Sequence, residues 1–381
     1  MTDRAPHPRS GAATVVAVVV AGGPTAYLTE TLRSLAQQSR MPADILLVAT
    51  TAGDSHPPSA AELGAADLSF PAARLHRASA PDAATFGEAV TAGLATVPEL
   101  SAIWLWLLHD DSAPDPDALA ALLRAVELAP SVVVAGVKQR QWANPARLVE
   151  AGVTTSRFGR RMTGVEPDEI DQGQHDGRED VLAVGLAGAL VRRDVWTELG
   201  GTDRGFGRFG DGYDFCRRAR LAGHRVLVVP QATVRHAQLS LQGLRDVVET
   251  TTFGPDGLGD PRRSFRARRQ SLIYGELISV PALLIPVIAV IAVGSGLASS
   301  LARLLTKEPG LAVAELAAPV AVLARPGRIA RARAAARATR RLPRRALRPL
   351  QVGARDVFRE ARDRRLAAAE QRRTSVARSE L

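Results

Sequence analysis

The sequence predicts an α/β protein with a doubly wound, mostly parallel sheet, followed by a C-terminal membrane helical hairpin and a basic helical tail. Short apolar runs alternate with segments of helical periodicity over residues 14–137, which is typical of strands that alternate with helices. The run Trp104–Leu108 is long and apolar enough for a fully buried strand. A second kind of apolar segment follows residue 271 and is long enough to cross a bilayer.

Composition separates the chain into two parts of opposite charge. The chain has 381 residues and 46% apolar content, enough for one large domain and an appendage. Residues 261–381 hold 25 Lys and Arg against 8 Asp and Glu, whereas residues 1–260 hold 24 against 31. The two parts are therefore expected to have different partners. The single cysteine, Cys216, excludes an internal disulfide and suits the cytosol, and the polar segment 1–12 predicts a disordered N-terminus rather than a signal peptide.

The first half of the chain predicts repeated strand-turn-helix units. A Gly-Gly turn follows the first apolar run, and the second run ends in a loop that reaches the same sheet edge. The predicted elements, in chain order, are strand Val15–Val20, a helix carrying Leu28, Leu32 and Leu35, strand Ile45–Val48, a helix over residues 84–97, and the strand that begins at Trp104.

An acidic turn ends the Trp104 strand. Asp110 and Asp111 stand at the carboxyl end of a buried strand, the edge at which open α/β sheets bind ligands. Adjacent carboxylates repel each other, and a divalent cation such as Mg²⁺ or Mn²⁺ would offset their charge. The alternative is that Asp111 and Ser112 only cap the next helix, a role that needs a single acid.

The pattern continues beyond the acidic turn. Residues 139–180 are polar and lack clear periodicity. Such a stretch is typical of a functional or mobile loop, or of a β-ribbon that the sequence pattern does not reveal. A loop rich in glycine presents Asp211 and Asp214. The predicted elements here are helix Ala118–Glu127, strand Val132–Val137, the apolar segment Val181–Val191, a short helix in RRDVWTELGG, helix Phe215–Ala222 and strand Val226–Val229, which leads to His236.

The order of these motifs resembles the family 2 glycosyltransferases of the GT-A fold. The matching features are the acidic pair, the long gap, RRDVWTELGGTD, and the segment from GDGYDFCRR to VRH, which together span about residues 13–240. The resemblance, to members of actinobacterial type with a C-terminal membrane segment, implies transfer of a sugar from a nucleotide diphosphate donor with inversion. It also implies Mn²⁺ or Mg²⁺ as cofactor and a carboxylate base.

The resemblance also implies roles for individual residues. Asp111, Asp110 and His236 correspond to the metal site. His109 stands where many members have an acid, so it either ligates as neutral imidazole or packs at the strand end. The family's nucleotide-binding Asp corresponds to Ala49 here. Either Asp54 binds the nucleotide sugar instead, together with Thr50 and His109, or the nucleotide is held differently.

The catalytic base departs from the family pattern. Its usual position corresponds to Gly212, one residue after Asp211, and the flanking glycines Gly210 and Gly212 would let Asp211 take its place. We therefore assign Asp211 and Asp214 as the candidate catalytic acids, and expect Gly212→Asp to be tolerated. The alternative is a degenerate homologue that binds glycans or scaffolds a membrane complex.

The C-terminal part predicts attachment to a membrane. An apolar stretch over residues 277–297 can span a bilayer, and a shorter one over residues 310–324 is a second, imperfect span or an interfacial helix. Arginines outside both segments predict a hairpin with both ends in the cytoplasm. The predicted domains are 1–12 (disordered), 13–260 (glycosyltransferase), 261–325 (basic juxtamembrane segment and membrane hairpin) and 326–381 (Arg/Ala-rich cytoplasmic tail).

The composition of the tail also suggests its partners. Phe358 is the one aromatic residue in the Arg/Ala-rich region, so anionic membrane lipids are expected there rather than nucleic acid. The other expected partners are a nucleotide diphosphate sugar donor and a glycan or polyprenyl-linked acceptor. The expected location is the cell membrane, with the catalytic domain in the cytoplasm.

Overall fold

The computed structural model describes residues 14–50, 70, 73–156, 159, 161–177, 179–244, 261–353 and 362. Within these ranges the chain forms a mixed sheet of nine strands, a two-stranded ribbon, and helices on both faces of the sheet. The strands are β1 Val15–Ala21, β2 Asp44–Ala49, β3 Arg74–Ser79, β4 Trp104–His109, β5 Ser112–Pro114, β6 Val132–Gln141, β7 Leu148–Glu150, β8 Thr154–Thr155, β9 Arg161–Met162, β10 Leu190–Arg192 and β11 Arg225–His236. The α-helices are α1 Ala26–Ala36, α2 Phe86–Thr96, α3 Ala118–Leu128, α4 Arg193–Glu198, α5 Asp211–Leu221, α6 Pro261–Ser279, α7 Ile285–Leu305, α8 Pro309–Leu323 and α9 Pro326–Ala338.

The order of strands in the main sheet is β3-β2-β1-β4-β10-β6-β11-β5, with β7 paired to β6. β1 to β4 pair in parallel, and so do β6 and β11, whereas β10 runs antiparallel between the two groups. The carboxyl ends of β1, β4, β6 and β11 therefore meet at one edge. The predicted α/β class with a mostly parallel core is confirmed.

The core lies on both faces of this sheet because its central strands are apolar at every position. In β1 all seven residues are buried, and Val16 and Val18 pack on one face while Val15 and Val19 pack on the other. Successive strand side chains point to opposite faces, so such a run needs helices on both sides. The acidic turn is thus attached to the most rigid part of the molecule.

The structure departs from the prediction in two parts of the sheet. β3 escaped prediction because its sequence, RLHRAS, is polar and mostly exposed at the sheet edge. The segment Val181–Val191 is a strand only at Leu190–Arg192. Its earlier part forms a buried connection in which Gly188 adopts φ +92°, a conformation that ends regular pairing.

The basic C-terminal segments pack on the sheet domain. The Tyr274 hydroxyl of α6 donates to Asp203 Oδ2 at 2.6 Å. Arg333 of α9 donates to the carbonyls of Leu277 and Val280, each at 2.8 Å, and so caps the end of α6. The predicted domain boundaries stay predictions. α6 contacts the sheet domain through Tyr274, and α9 contacts α6 through Arg333.

Among the residues that the structure describes, one helical segment is long and apolar enough to cross a membrane. It comprises residues 282–305, with a mean hydropathy of 2.3, and 17% of its apolar window is buried. α8 and α9 pass the same test together but are bent by 62°. Arg262 lies 3.2 Å from Glu308, in the turn between α7 and α8, because α6 folds back along the hairpin. Arg262 and Arg269 of α6 therefore lie beside this hairpin, and both the number of crossings and the orientation stay predictions.

Candidate active site

The acidic turn at the end of β4 is held by backbone amides from two other segments. Asp110 Oδ2 accepts a hydrogen bond from Gly22 N–H at 3.0 Å. Asp111 Oδ2 accepts one from Leu239 N–H at 2.8 Å, and its carbonyl accepts another from Ala237 N–H at 3.0 Å. Both carboxylates are buried, and hydrogen bonds to a carboxylate stabilise its charged form. These bonds hold the two adjacent carboxylates in fixed positions at the sheet edge.

Capping of the next helix is not the role of this turn. The residue at the N-cap of α3 is Asp117, and β5 separates it from the acidic pair. Ser112 instead bonds locally, since its Oγ donates to the carbonyl of His109 at 2.8 Å. The alternative reading of Asp111 and Ser112 as caps is therefore wrong.

Three side chains converge on one point beside this turn. His236 Nε2 lies 3.5 Å from Asp111 Oδ1, and His109 Nδ1 lies 3.9 Å from the same oxygen. One ligand atom from each of the three residues lies within 4.8 Å of the others. An octahedral ion with bonds of about 2.1 Å separates its ligands by about 3.0–4.2 Å, so the group could hold a divalent metal. Asp110, predicted to be a ligand, is not a member of this group.

Gln139 fixes the tautomer of His236. Gln139 Nε2 donates to the carbonyl of Ala187 at 3.2 Å, which leaves its Oε1 to accept from His236 Nδ1–H at 2.9 Å. The unprotonated Nε2 of His236 then faces Asp111. An outer hydrogen bond of this kind is what orients a metal-binding imidazole. Gln139 was not among the predicted site residues, although it is a polar residue near the carboxyl end of buried strand β6.

Asp211 is the first residue of α5. Gly210, at the N-cap, has φ +83°, and Asp211 Oδ1 accepts a hydrogen bond from Gly212 N–H at 2.8 Å. Burial raises the pKa of Asp211 to about 6, against the opposing effects of the backbone hydrogen bonds and of Arg161. A carboxylate with such a pKa can take a proton near neutral pH.

Asp214 lies in an internal ion pair. Its carboxylate is buried and accepts from Arg218 Nε at 2.6 Å and from Arg217 Nη2 at 3.3 Å. Arg218 also donates to the carbonyls of Leu199 and Gly201. Asp214 therefore ties α5 to the preceding loop, and its assignment as a catalytic acid stays a prediction.

The profile of the family described as "Glycosyltransferase like family 2" matches residues 12–248, more than half of the chain. The chain belongs to glycosyltransferase family 2. No curated protein matches the sequence. The family assignment confirms the resemblance carried by the acidic turn and the α5–β11 segment.

The solved structures to which the chain is similar are distant in sequence. A structure of GalNAc-T7 with UDP, GalNAc and Mn²⁺ is 13% identical, with a TM-score of 0.46, and the match covers 68% of this chain and 47% of that one. The mannosyltransferase PcManGT of Pyrobaculum calidifontis, in complex with GDP-Man and Mn²⁺, is 16% identical, with a TM-score of 0.44 and coverages of 87% and 77%. S. aureus TarS is 10% identical, with a TM-score of 0.40 and coverages of 68% and 43%. The chain thus spans about half the length of GalNAc-T7.

An aromatic pair lies beside the metal-binding group of this family 2 glycosyltransferase. The rings of Tyr27 and Trp142 meet edge to face at 5.0 Å, and the Arg235 guanidinium lies 5.2 Å from the Trp142 ring. Burial, together with the negative charge of Asp111, raises the pKa of Tyr27. The site thus has an apolar wall with a cation at its edge, a surface suited to a ring-bearing ligand.

The predicted nucleotide-binding residues have different outcomes. His109 belongs to the three-residue group, where its ring also packs on Phe86 at a centroid distance of 4.3 Å. Thr50 directly follows β2, and its Oγ1 donates to the carbonyl of Ala21 at 3.2 Å. Asp54 lies outside the described residues. The roles of Thr50 and Asp54 toward a nucleotide stay predictions.

The structure contradicts the expectation that Gly212→Asp is tolerated. A Cβ at Gly212 would lie 2.8 Å from the carbonyl oxygen of Val184 and 3.3 Å from the amide nitrogen of Leu186. Backbone atoms cannot move aside as the end of a side chain can. This close approach accounts for glycine at the position where the family has its acid.

We therefore expect Gly212→Ala to lower the free energy of unfolding by about 1–3 kcal/mol, the usual effect of overpacking. Urea denaturation measures the change. Gly327→Ala is the matched control, because a Cβ there meets nothing within 4 Å. Equal stability of the two variants would contradict the close packing of α5 on residues 184–186.

Proposed function

We propose that this family 2 glycosyltransferase is a metal-dependent inverting enzyme. It transfers a sugar from a nucleotide diphosphate sugar to a lipid-linked or cell-envelope glycan acceptor at the cytoplasmic face of the membrane. The observation that carries the proposal is the His109–Asp111–His236 group at the carboxyl edge of the sheet. In α/β folds of this kind the ligand binds at that edge.

The metal-binding group determines how the donor is held. Asp111 and His236, with His109, would hold the ion, which supplies the positive charge that offsets the departing diphosphate. Two imidazoles and one carboxylate suit Mn²⁺ better than Mg²⁺, which prefers oxygen ligands. The Tyr27–Trp142 pair would supply an aromatic surface for the nucleoside.

Asp211 acts on the acceptor. Its carboxylate takes the proton of the acceptor hydroxyl while that oxygen forms a bond to the anomeric carbon. The bond from the anomeric carbon to the diphosphate breaks on the opposite face, and the diphosphate leaves with the electron pair. A single displacement inverts the configuration, and Asp211 ends the step neutral.

A panel of nucleotide sugars with Mn²⁺ or with EDTA tests the proposal. We expect at least one donor to release its nucleoside diphosphate with Mn²⁺ and not with EDTA. Binding without hydrolysis or transfer for every donor would favour the other candidate, a glycan-binding or scaffolding homologue. The His109–Asp111–His236 group at the carboxyl edge of the sheet is the observation that favours the enzyme.

Attachment to the membrane is proposed to use the outer face of α7. Val290, Leu297 and Leu301 are 72%, 62% and 60% exposed there. We expect the Val290→Ser/Leu297→Ser/Leu301→Ser variant to lose most of its flotation with anionic liposomes, because it removes apolar area that a bilayer would bury. Leu128→Ser is the control, since Leu128 is 87% exposed on α3 of the sheet domain. Undiminished flotation of the triple variant would contradict attachment through α7.

A further inference from the structure

A second cleft, of about 190 Å³, lies away from the metal-binding group. It is bounded by α5, by the end of α6 and by a short 3-10 helix, Arg344–Leu350. Its polar lining is dominated by guanidinium groups, and the residues that matter here are Arg217, Arg344, Arg345, Arg348, Tyr213 and Ser279.

Three of the four arginines that line this arginine cleft have no anionic partner within the part of the chain that the structure describes. No carboxylate there lies within ion-pair distance of Arg344, Arg345 or Arg348. Arg217 is only 3% exposed, and its Nε has no hydrogen-bond partner. Asp214, which is 3.3 Å from Arg217, is engaged more closely by Arg218. Burial and the neighbouring arginines lower the pKa of Arg344 to about 10.

The segment that carries these arginines, residues 341–352, is held by hydrogen bonds at both of its ends. Before them, the backbone amides of Arg341 and Leu342 donate to the carbonyl of Leu221 at the end of α5. Within the segment, Leu347 is buried in the main core. After it, Val352 N–H donates to the carbonyl of Thr155. The arginines are therefore held together by the fold, although like charges repel, which points to a bound anion as the compensating group.

We propose that the arginine cleft binds a phosphate or diphosphate group. Guanidinium groups recognise phosphate oxygens through paired hydrogen bonds. The cleft also has a defined position, because Ser279 and Pro281 directly precede the apolar segment 282–305. Arg217 follows Asp211 by six residues on α5, a rise of about 9 Å along the helix.

This position suits the headgroup of a lipid-linked acceptor, an assignment that rests on the proposed function. The phosphate would lie in the cleft beside the membrane segment, and the acceptor sugar would extend along α5 toward Asp211. The shared chemistry is phosphate, which a free diphosphate would also supply. The experiment must therefore separate these two sources.

Calorimetry of the full chain with inorganic pyrophosphate in EDTA tests the cleft itself. EDTA excludes binding through a metal at Asp111. We expect Arg344→Gln/Arg348→Gln to weaken pyrophosphate binding at least about tenfold, since two charge-assisted contacts are lost. Arg325→Gln/Arg331→Gln is the control, because it removes the same charge from exposed positions of the α9 segment that do not line the cleft. Equal binding by both variants and the unmodified chain overturns the proposal.

Vesicles separate the two sources of phosphate. Phosphatidylcholine vesicles containing phosphatidic acid present an exposed phosphate monoester, whereas those containing phosphatidylserine do not. We expect the full chain to prefer phosphatidic acid, pyrophosphate to compete, and Arg344→Gln/Arg348→Gln to abolish the preference. No preference would overturn the lipid assignment. None of these readouts needs sugar transfer, so an inactive protein with an intact cleft would be recognised as such.

Discussion

Asp111→Asn is expected to abolish metal-dependent donor binding and to leave the fold intact. The substitution removes the one carboxylate of the His109–Asp111–His236 group. Asparagine keeps an oxygen that can accept the hydrogen bond from Leu239 N–H, so the loop after β11 stays anchored. Calorimetry of the nucleotide donor with Mn²⁺ should show a loss of at least about a hundredfold in affinity, more than the loss of an outer-shell group causes.

Asp110→Asn is the matched comparison, because Asp110 is the adjacent acid and lies outside the three-residue group. Its carboxylate accepts from Gly22 N–H, a bond that asparagine can also accept. We expect a much smaller change in donor affinity for this variant. Unchanged affinity in Asp111→Asn with Mn²⁺ present would contradict the assignment of Asp111.

Asp211→Asn is expected to lower turnover at least about a hundredfold, the low end for loss of a general base, while donor affinity barely changes. Burial raises the pKa of Asp211 from 3.8 to about 6, so its basic form is populated only as the pH passes that value. In the unmodified enzyme kcat/KM should therefore rise with pH up to about 6 and then level off. Initial rates from pH 5 to 8 measure both effects.

Stability separates a chemical from a structural role for Asp211. A carboxyl group whose pKa is raised in the folded state loses stabilising effect as the pH rises through that pKa, so at pH 7 its charge opposes folding. Asp211→Asn should then unfold at no lower a temperature than the unmodified chain. Asp214→Asn should instead lower the free energy of unfolding by about 3–5 kcal/mol, because it leaves buried Arg218 without its anion. A fully active Asp211→Asn enzyme would remove Asp211 from the mechanism.

The sequence predicted the central elements of the fold well, because apolar runs and capped helices carry their own signal. β1, β4 and α3 lie within a few residues of their predicted bounds. The prediction failed for segments whose structure depends on contacts with distant parts of the chain. β3 is a strand only because its backbone pairs with β2, and Val181–Val191 is mostly not a strand although it is apolar, because it lies buried between paired segments.

The candidate site shows the same division. Asp111 and His236 follow apolar strands whose carboxyl ends had to meet, so their proximity was predictable. His109, and not Asp110, is the third residue of the group because of the directions of their side chains, which residue spacing does not determine. A side chain at position 212 would clash with a backbone carbonyl that is 28 residues away in sequence. Asp214 forms an ion pair with an arginine four residues later on the same helix.

The central claim is that a divalent cation bound by His109, Asp111 and His236 holds the donor diphosphate. Anomalous diffraction at the manganese edge, from crystals grown with Mn²⁺ and the nucleoside diphosphate chosen by the donor panel, tests it most directly. The account predicts one peak at about 2.0–2.2 Å from Asp111 Oδ1 and His236 Nε2, in contact with a diphosphate oxygen. A bound nucleotide with no peak among these three side chains, or with manganese held elsewhere, would contradict it.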